Sequence, residues 1–388
     1  MIRRAAMDKV RLHLKTFPAV LIVGPRQCGK TTLVRGELRS WTYLDLERPT
    51  DWDLLSSDLE GFLRDNPGRL AIDEAQRLPE LFPVLRGAID RRRKPGRFVL
   101  TGSARPALFR QAGESLAGRI GIVELTPFLP SELGGSRKLS ALRWFWGGYP
   151  PLARLRSSAQ RSEWLGSYVT ALLERDLPQL GIRVPAPRLR KLWMMLAHVH
   201  GNVLNMSDLA RSLDLHYHSV GHYLDILESA FMIRRLPPFF ANVRKRLVKS
   251  PKIYIRDSGI LHHMAGLRND RELETWPGRG ASFEGLVIEE LIQATLRKSP
   301  DPGFFYWRTQ AGAEVDLLIS TGGKLFPIEI KLGGSIHQRS LAGLRSCMED
   351  LRLSRGFLVY GGERRLKLGR GIEAVPWSDI IRKGLPCP

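Results

Sequence analysis

Gly24-Pro25-Arg26-Gln27-Cys28-Gly29-Lys30-Thr31 fits G-x-x-x-x-G-K-[ST] at every fixed position. Its flanks decide how it is read. The apolar run Ala19-Val20-Leu21-Ile22-Val23 before it is short and unbroken, as suits a strand buried on both faces of a parallel sheet. Thr32-Leu33-Val34-Arg35 after it can open a helix. Strand, glycine-rich loop and helix N-terminus in that order make a phosphate cradle. The glycines let successive backbone N–H groups converge, and the helix start adds the positive end of its dipole. Lys30 would reach the β- and γ-phosphates of a nucleotide, and Thr31 would ligate Mg²⁺. Gly24 through Thr32 are therefore the expected nucleotide-binding set, with ATP and Mg²⁺ as the cofactors.

Arg69-Leu70-Ala71-Ile72-Asp73-Glu74 is a second short apolar strand, and it ends in two carboxylates. Opposite a phosphate loop, Asp73 would hold Mg²⁺ through water, and Glu74 would orient or deprotonate the attacking water. The two motifs together resemble the AAA+ superfamily of ATPases. That resemblance implies a role for Phe98-Val99-Leu100-Thr101-Gly102-Ser103, the strand that carries the first sensor of the γ-phosphate, with Thr101 and Ser103 as candidates. A helix is expected from Pro106 to Gly118, and Arg119 stands just before the strand Ile120-Gly121-Ile122-Val123-Glu124-Leu125. The resemblance puts an arginine finger there, acting on the nucleotide of a neighbouring subunit, so a homo-oligomer is implied. The alternative for Arg119 is a helix-end cation on a basic surface.

The 388 residues, 43% hydrophobic and 26% charged, allow two to four domains of ordinary globular composition. Lys and Arg number 60 against 39 Asp and Glu, a net charge of +21. Nucleic acid, and DNA first, is the partner that such a charge favours. Part of the charge clusters, at Arg91-Arg92-Arg93-Lys94, Arg234-Arg235 and Arg244-Lys245-Arg246. The three cysteines, Cys28, Cys347 and Cys387, share no metal or disulfide spacing, and no secretory signal is read ahead of the fold, so the expected setting is cytoplasmic. No apolar run approaches the roughly 20 residues that cross a bilayer, so no membrane partner is expected.

Residues 1 to about 18 read as an amphipathic basic segment packed beside the first strand. Trp41 to Leu46 reads as a second strand. Pro127, Pro130, Gly134 and Gly135 mark a boundary, beyond which Leu142 to Leu177 is helical with a break at Gly147-Gly148-Tyr149-Pro150. Within it, Arg175 and Asp176 are read as an ion pair, with a contact from Arg175 to nucleotide as the alternative. Leu189 to Val199 is an apolar-periodic helix. Ser207 is the expected cap of Asp208 to Leu213, and a further helix carries Val220, Tyr223, Leu224, Ile226 and Leu227. With the strand Phe231 to Leu236, these resemble a winged helix-turn-helix, with His216, His218, Ser219 and His222 near the start of the last helix. The histidines lack a cysteine or carboxylate at ligand spacing and are not read as a metal site. Arg234, Arg235, Arg244, Lys245 and Arg246 are the expected DNA contacts, although winged helices also serve as protein contacts.

The sequence Lys252 to Gly259 adds a strand ending in an Arg-Asp-Ser-Gly turn. Phosphate loop, Asp-Glu strand, Thr-Gly-Ser, Gly-Gly-Tyr-Pro, winged helix and this turn together resemble a bacterial and archaeal family of AAA+ ATPases that carries a C-terminal domain of unknown function. In the last third, Ala281 to Leu296 reads as an amphipathic helix with Glu284, Glu289 and Glu290. Ala313 to Ile319, a Gly322-Gly323 hairpin and Leu325 to Lys331 follow. Alternation places Glu314 and Asp316 on one face of one strand, and Glu329 and Lys331 on one face of its neighbour. This resembles the PD-(D/E)xK nuclease fold, with Asp316 and Glu329 as Mg²⁺ ligands, Lys331 as the catalytic lysine and Glu284 as the helix acid. Ordinary strand faces joined by a salt bridge, or a nuclease-like domain kept for DNA binding with little cleavage, remain open.

The expected architecture is α/β: a nucleotide-binding core over 1–135, a helical lid over 136–185, a winged-helix domain and linker over 186–270, and a nuclease-like α/β domain over 271–388. The expected activity is ATP hydrolysis by an AAA+ protein acting on DNA, branched or damaged DNA included. The alternative is an ATP-dependent regulatory switch that docks protein partners.

Overall fold

The computed structural model describes residues 2–103, 115–134, 137–179, 182, 184–240 and 250–385. The chain divides into two compact units. The first is Met1–Phe128 with Tyr149–Pro151 and Ser229–Phe231, and the second is Leu129–Gly148, Leu152–Glu228 and Met232–Pro388.

In the first unit β1 (Ala19–Val23), β2 (Thr42–Asp45), β3 (Leu70–Asp73), β4 (Phe98–Gly102) and β5 (Ile120–Glu124) form one sheet in the order β2-β3-β4-β1-β5. Every neighbouring pair is parallel. The unbroken apolar runs are explained by layers on both faces. Ala19, Leu21, Val23, Ile72 and Leu100 enter one core with Leu81, Phe82, Leu85 and Ile89 of the helix Leu81–Arg91. Val20, Ile22, Ala71 and Val99 enter the other, with Met7 and Val10 of the helix Ala6–Thr16 and Leu33 and Val34 of the helix Lys30–Glu37. A parallel sheet brings all its C-terminal strand ends to one edge, and the strand order turns around at β1. Ligands of open α/β sheets bind in the crevice at such a point.

In the second unit, helices Arg137–Trp146 and Ser158–Ala171 come first, the latter opened by a Ser157/Gln160 capping box. It runs into a π-helical turn, Leu172–Asp176, where Arg175 pairs with the buried Asp176 at 3.0 Å. After the short helix Leu177–Gln179 come the helices Ala186–His198, Met206–Leu213 and Tyr217–Ser229, and then the antiparallel pair β6 (Ile233–Leu236) and β7 (Lys252–Ile255). Asn205, not Ser207, caps Met206–Leu213, its side-chain oxygen accepting from Asp208 N at 3.2 Å.

The signature turns of this unit meet in space. Asp257 caps the helix Ser258–Met264 through Gly259 N and Ile260 N, accepts from Gly148 N at 2.8 Å, and lies 3.6 Å from the buried Arg143. Gly147 has φ +86°, and a Cβ there would strike the Asp257 carboxylate. Glycine is therefore required on both conformational and steric grounds.

The helix Arg279–Lys298 packs on a six-stranded sheet. Its strands are β8 (Gly303–Arg308), β9 (Glu314–Thr321), β10 (Lys324–Lys331), β11 (Gly356–Tyr360), β12 (Leu366–Lys367) and β13 (Ile372–Pro376), in the order β12-β13-β11-β10-β9-β8. β9 and β10 form the expected hairpin, with Gly322 at φ 56° and Gly323 at φ 70°. The helix corrects an expectation: it is not amphipathic through its middle, because Gly285 through Gln293 are all buried, Glu289 and Glu290 included.

Candidate functional site

The loop after β1 sits at the C-terminal edge of the first sheet, at its turning point. Gly29 adopts φ +100° and Gln27 φ +60°, and a Cβ on Gly24 would run into the Leu125 carbonyl oxygen. The loop is thus shaped by glycine where the sequence demands it. Lys30 is 5% exposed and donates to the carbonyl oxygens of Gly24 and Pro25, both at 3.0 Å. Those oxygens satisfy the ammonium as phosphate oxygens would, so the cradle fits the group that its sequence implies.

Opposite the loop, β3 ends in Asp73, which is 2% exposed. Its Oδ2 accepts from Thr31 Oγ1 and from Tyr43 Oη, each at 2.6 Å, and its Oδ1 from Thr101 Oγ1. The insertion of β4 between β1 and β3 is what lets Thr101 reach Asp73. Burial, then the Asp73 carboxylate, push the Tyr43 phenol upward, so it remains a donor.

Glu74 takes a left-handed backbone, φ 53°, fixed by bonds from its N–H to Asp73 Oδ1 and Thr101 Oγ1, both at 3.2 Å. Its Oε2 accepts from Ser103 Oγ at 2.8 Å and from Gln76 Nε2. Lys30, Thr31, Asp73, Glu74, Thr101 and Ser103 are thus joined or adjacent across three neighbouring strand ends. Thr32, in the first turn of the helix, makes no contact with the carboxylates of β3 among the hydrogen bonds of the described residues.

Sequence reasoning missed three contributors. Tyr43 and Gln76 are two, and Arg4 is the third. Arg4, 7% exposed, donates to Cys28 O at 2.9 Å and to Thr126 O, with its guanidinium 4.8 Å from the Phe128 ring centroid. It ties the loop to the segment after β5. One arginine in a chain so rich in them carries no local signal. Arg4→Met is expected to raise the KM for ATP about tenfold with little change in kcat, because a hydrogen bond from a charged donor contributes roughly 1.5–3 kcal/mol. Initial rates against ATP concentration check this, and an unchanged KM would remove Arg4 from the loop's support.

Arg119 lies just before β5, at the end of that strand away from the loop, and holds Asp90 through two bonds of 2.7 and 3.0 Å. The Asp90 carboxyl is correspondingly held down by Arg119. Most of the helix expected over Pro106–Gly118 lies outside the described residues, as do Arg244, Lys245 and Arg246. Arg234 and Arg235 correct an expectation. Arg234 bonds both oxygens of Glu289 at 3.0 to 3.2 Å, and Arg235 pairs with Asp225 and Glu228. Arg234 is spent on a buried carboxylate and is not a free phosphate contact, whereas Arg235 sits in a pair that is partly exposed.

The C-terminal carboxylates do come together. Ile330 N donates to Asp316 Oδ2 at 2.8 Å, and Lys331 reaches Glu329 Oε1 at 2.6 Å. Tyr254 Oη donates to Glu284 Oε1 at 2.6 Å. Burial, then Asp316, hold the carboxyls of both Glu284 and Glu329 above their ordinary range. A cation missed in the sequence completes the group. Lys252 of β7, 2% exposed, lies 3.1 Å from Glu284, 3.5 Å from Asp316 and in contact with Glu314. Among the described residues no group of three or more His, Cys, Asp or Glu is arranged to hold a metal ion, and no helix is long and apolar enough to cross a membrane.

Comparison with known proteins places this geometry. A family described as an AAA domain matches residues 16–134, and two described as domains of unknown function, DUF8612 and DUF4143, match 137–271 and 279–380. The first unit therefore carries an AAA-type P-loop nucleotide-binding domain. Over 384 residues the chain is 43% identical to Uncharacterized protein Rv2008c of Mycobacterium tuberculosis and to Uncharacterized protein Mb2031c of Mycobacterium bovis, covering 98% of this chain and 85% of each relative. The chain belongs to the family of these two mycobacterial proteins. Among solved structures, the Walker-type ATPase PABY2304 of Pyrococcus abyssi is 17% identical, with 68% of this chain and 96% of that one covered at a TM-score of 0.47. The RuvB Holliday junction branch migration motor of Thermotoga maritima is 21% identical, with 60% and 89% covered at 0.30. Likeness at these scores carries no functional argument, and the family rests on the first two comparisons.

Proposed function

We propose that the chain binds ATP with Mg²⁺ at the loop Gly24–Thr31, hydrolyses it, and couples turnover to work on DNA. The observation that carries the first part is Asp73, bonded at once to Thr31 of the loop and to Thr101 of the strand between. When bound, ATP with Mg²⁺ supplies a phosphoanhydride and the charge that polarises it. Lys30 exchanges its loop carbonyls for phosphate oxygens. Thr31, at the start of the helix Lys30–Glu37, and Asp73, at the end of β3, would present a hydroxyl and a carboxylate to the metal. Glu74, with Ser103 and Gln76 on its Oε2, orients a water and receives its proton. Thr101 fixes the backbone of Glu74, while Ser103 links Glu74 to the end of β4. Arg119, in a homo-oligomer, would exchange Asp90 for a neighbour's nucleotide.

The DNA reading is supported by the net charge of +21 and by the three-helix and β6/β7 arrangement, read as a winged helix. His216, Tyr217, His218 and His222 are exposed around the first turns of Tyr217–Ser229. Residues 271–388 are proposed as the nuclease-like domain, kept for contact rather than cleavage. Both oxygens of Asp316 and one of Glu329 are already engaged, so no cleavage step is derived through Mg²⁺. A second reading, a switch directed at protein partners, is favoured by the internal pairing of Arg234 and Arg235. ATPase rate against single-stranded, duplex and forked DNA, with Glu74→Gln as the blank, separates the two. Several-fold stimulation by one form, weakening steeply with salt, is the expected result. Intact basal turnover with no response to any form would transfer the assignment to the protein-directed switch.

A further inference from the structure

The side chain of Lys252 belongs to neither the sheet nor the helix that carry the C-terminal carboxylates. It arrives from β7, where the Lys252 backbone pairs with Leu236 of β6 and forms a β-bridge with Val203. Burying a lysine is costly unless opposite charges receive it. This one is received by Glu284 of the helix and by Glu314 and Asp316 of β9, with the Tyr306 ring centroid 5.9 Å from its Nζ. Arg308 holds the outer oxygen of Glu314 at 3.0 Å, and Lys331 holds Glu329. Lys252 thus meets oxygens of three carboxylates at once. A divalent ion on this cluster would need the same oxygens at about 2.0–2.1 Å for Mg²⁺. Among the described residues, a fully buried acceptor of this cluster stays without a hydrogen-bond partner: Oε2 of Glu329, in a side chain nine-tenths buried.

We propose that Lys252 is the resident cation of this cluster, standing where a divalent metal would otherwise bind, so that the folded chain gains a metal site there only when the Lys252 ammonium is removed. The proposal rests on the nuclease-like reading of the cluster for the identity of the displaced ligand. Its own content is a competition between one ammonium and one metal ion for Glu284, Glu314 and Asp316. Glu329, with its spare oxygen, supplies the extra ligand that the metal would use and the lysine does not.

The test uses the full chain without nucleotide and Mn²⁺ alone as the probe, its binding followed by electron paramagnetic resonance and calorimetry. Wild type and Asp316→Asn are expected to bind Mn²⁺ alike, because the cluster of the wild type is closed. Lys252→Met, which keeps the length of the side chain and removes its charge, is expected to gain one site at least about tenfold tighter than any in wild type. The gain should vanish in Lys252→Met/Asp316→Asn. If Lys252→Met alone does not fold, Lys252→Met/Glu314→Gln lowers the negative charge of the cluster by one and is expected to gain an Asp316-dependent site that is weaker for the lost carboxylate but still tighter than any in wild type. An Asp316-dependent Mn²⁺ site in wild type as tight as in the Lys252 variants overturns the proposal. So does a folded Lys252 variant with no gained site. Cleavage is scored separately: a variant that gains Mn²⁺ and cuts no DNA keeps Lys252 in its role, whereas wild-type protein that cuts DNA with Mn²⁺ overturns the reading of the domain as kept for contact rather than cleavage.

Discussion

Glu74→Gln is expected to lower ATP turnover by about 10²–10⁴-fold, the contribution of a positioned general base, while nucleotide affinity changes by no more than about threefold. The substitution keeps size and one oxygen, so Ser103 Oγ can still donate to it. What is lost is the carboxylate that orients a water and takes its proton. The backbone should be undisturbed, because φ 53° at this position is fixed by the N–H bonds to Asp73 and Thr101, not by the side chain. The split is therefore diagnostic. A fall in kcat with affinity kept, by steady-state rates and by binding of a fluorescent nucleotide, fits a group acting on the attacking water. Equal loss of both would mean that Glu74 supports the loop instead. Unchanged turnover would hand the base role to another residue.

The nucleotide site was legible because its chemistry fixes spacing along the chain. Eight consecutive residues define the loop, and a strand that ends in Asp73-Glu74 has to bring them to the same sheet edge. What the sequence could not show were partners far apart in it. Arg4 reaches Cys28 and Thr126, and Arg119 finds Asp90, 29 residues earlier. The same limit explains the corrections. Arg234 reads as a free cation because its anion, Glu289, lies 55 residues on in a helix that the periodicity makes amphipathic. Arg235 finds Asp225 and Glu228 within ten residues, but the turn from the helix Tyr217–Ser229 into β6 that brings them together is not written in spacing. Strand alternation did place Glu314 with Asp316 and Glu329 with Lys331. It could not place Lys252, whose strand lies outside that sheet.

Glu289→Gln tests that hidden pairing, and it is expected to destabilise the second unit by about 3 kcal/mol at neutral pH. Burial alone would raise the Glu289 carboxyl, but Arg234 and then Arg256 outweigh it and hold it down to about 2. The guanidinium groups of Arg234 in β6 and of Arg256 just after β7 meet on this one buried carboxylate, so an amide leaves two cations with a neutral acceptor. The sign follows from the depressed value. The stability that the charge contributes is complete above the ordinary carboxyl range near 4.5, and it is lost as pH falls through about 2. The difference between wild type and Glu289→Gln, from urea unfolding followed by tryptophan fluorescence, should thus be full at pH 7 and shrink progressively below about pH 4.5. Arg234→Met alone should recover part of the loss when combined with Glu289→Gln, since it removes one of the stranded charges. Equal stability of wild type and variant at pH 7 would mean that water reaches this pair. Arg234 would then return to the set of cations open to phosphate, and the case for a DNA-facing β6/β7 ribbon would strengthen accordingly.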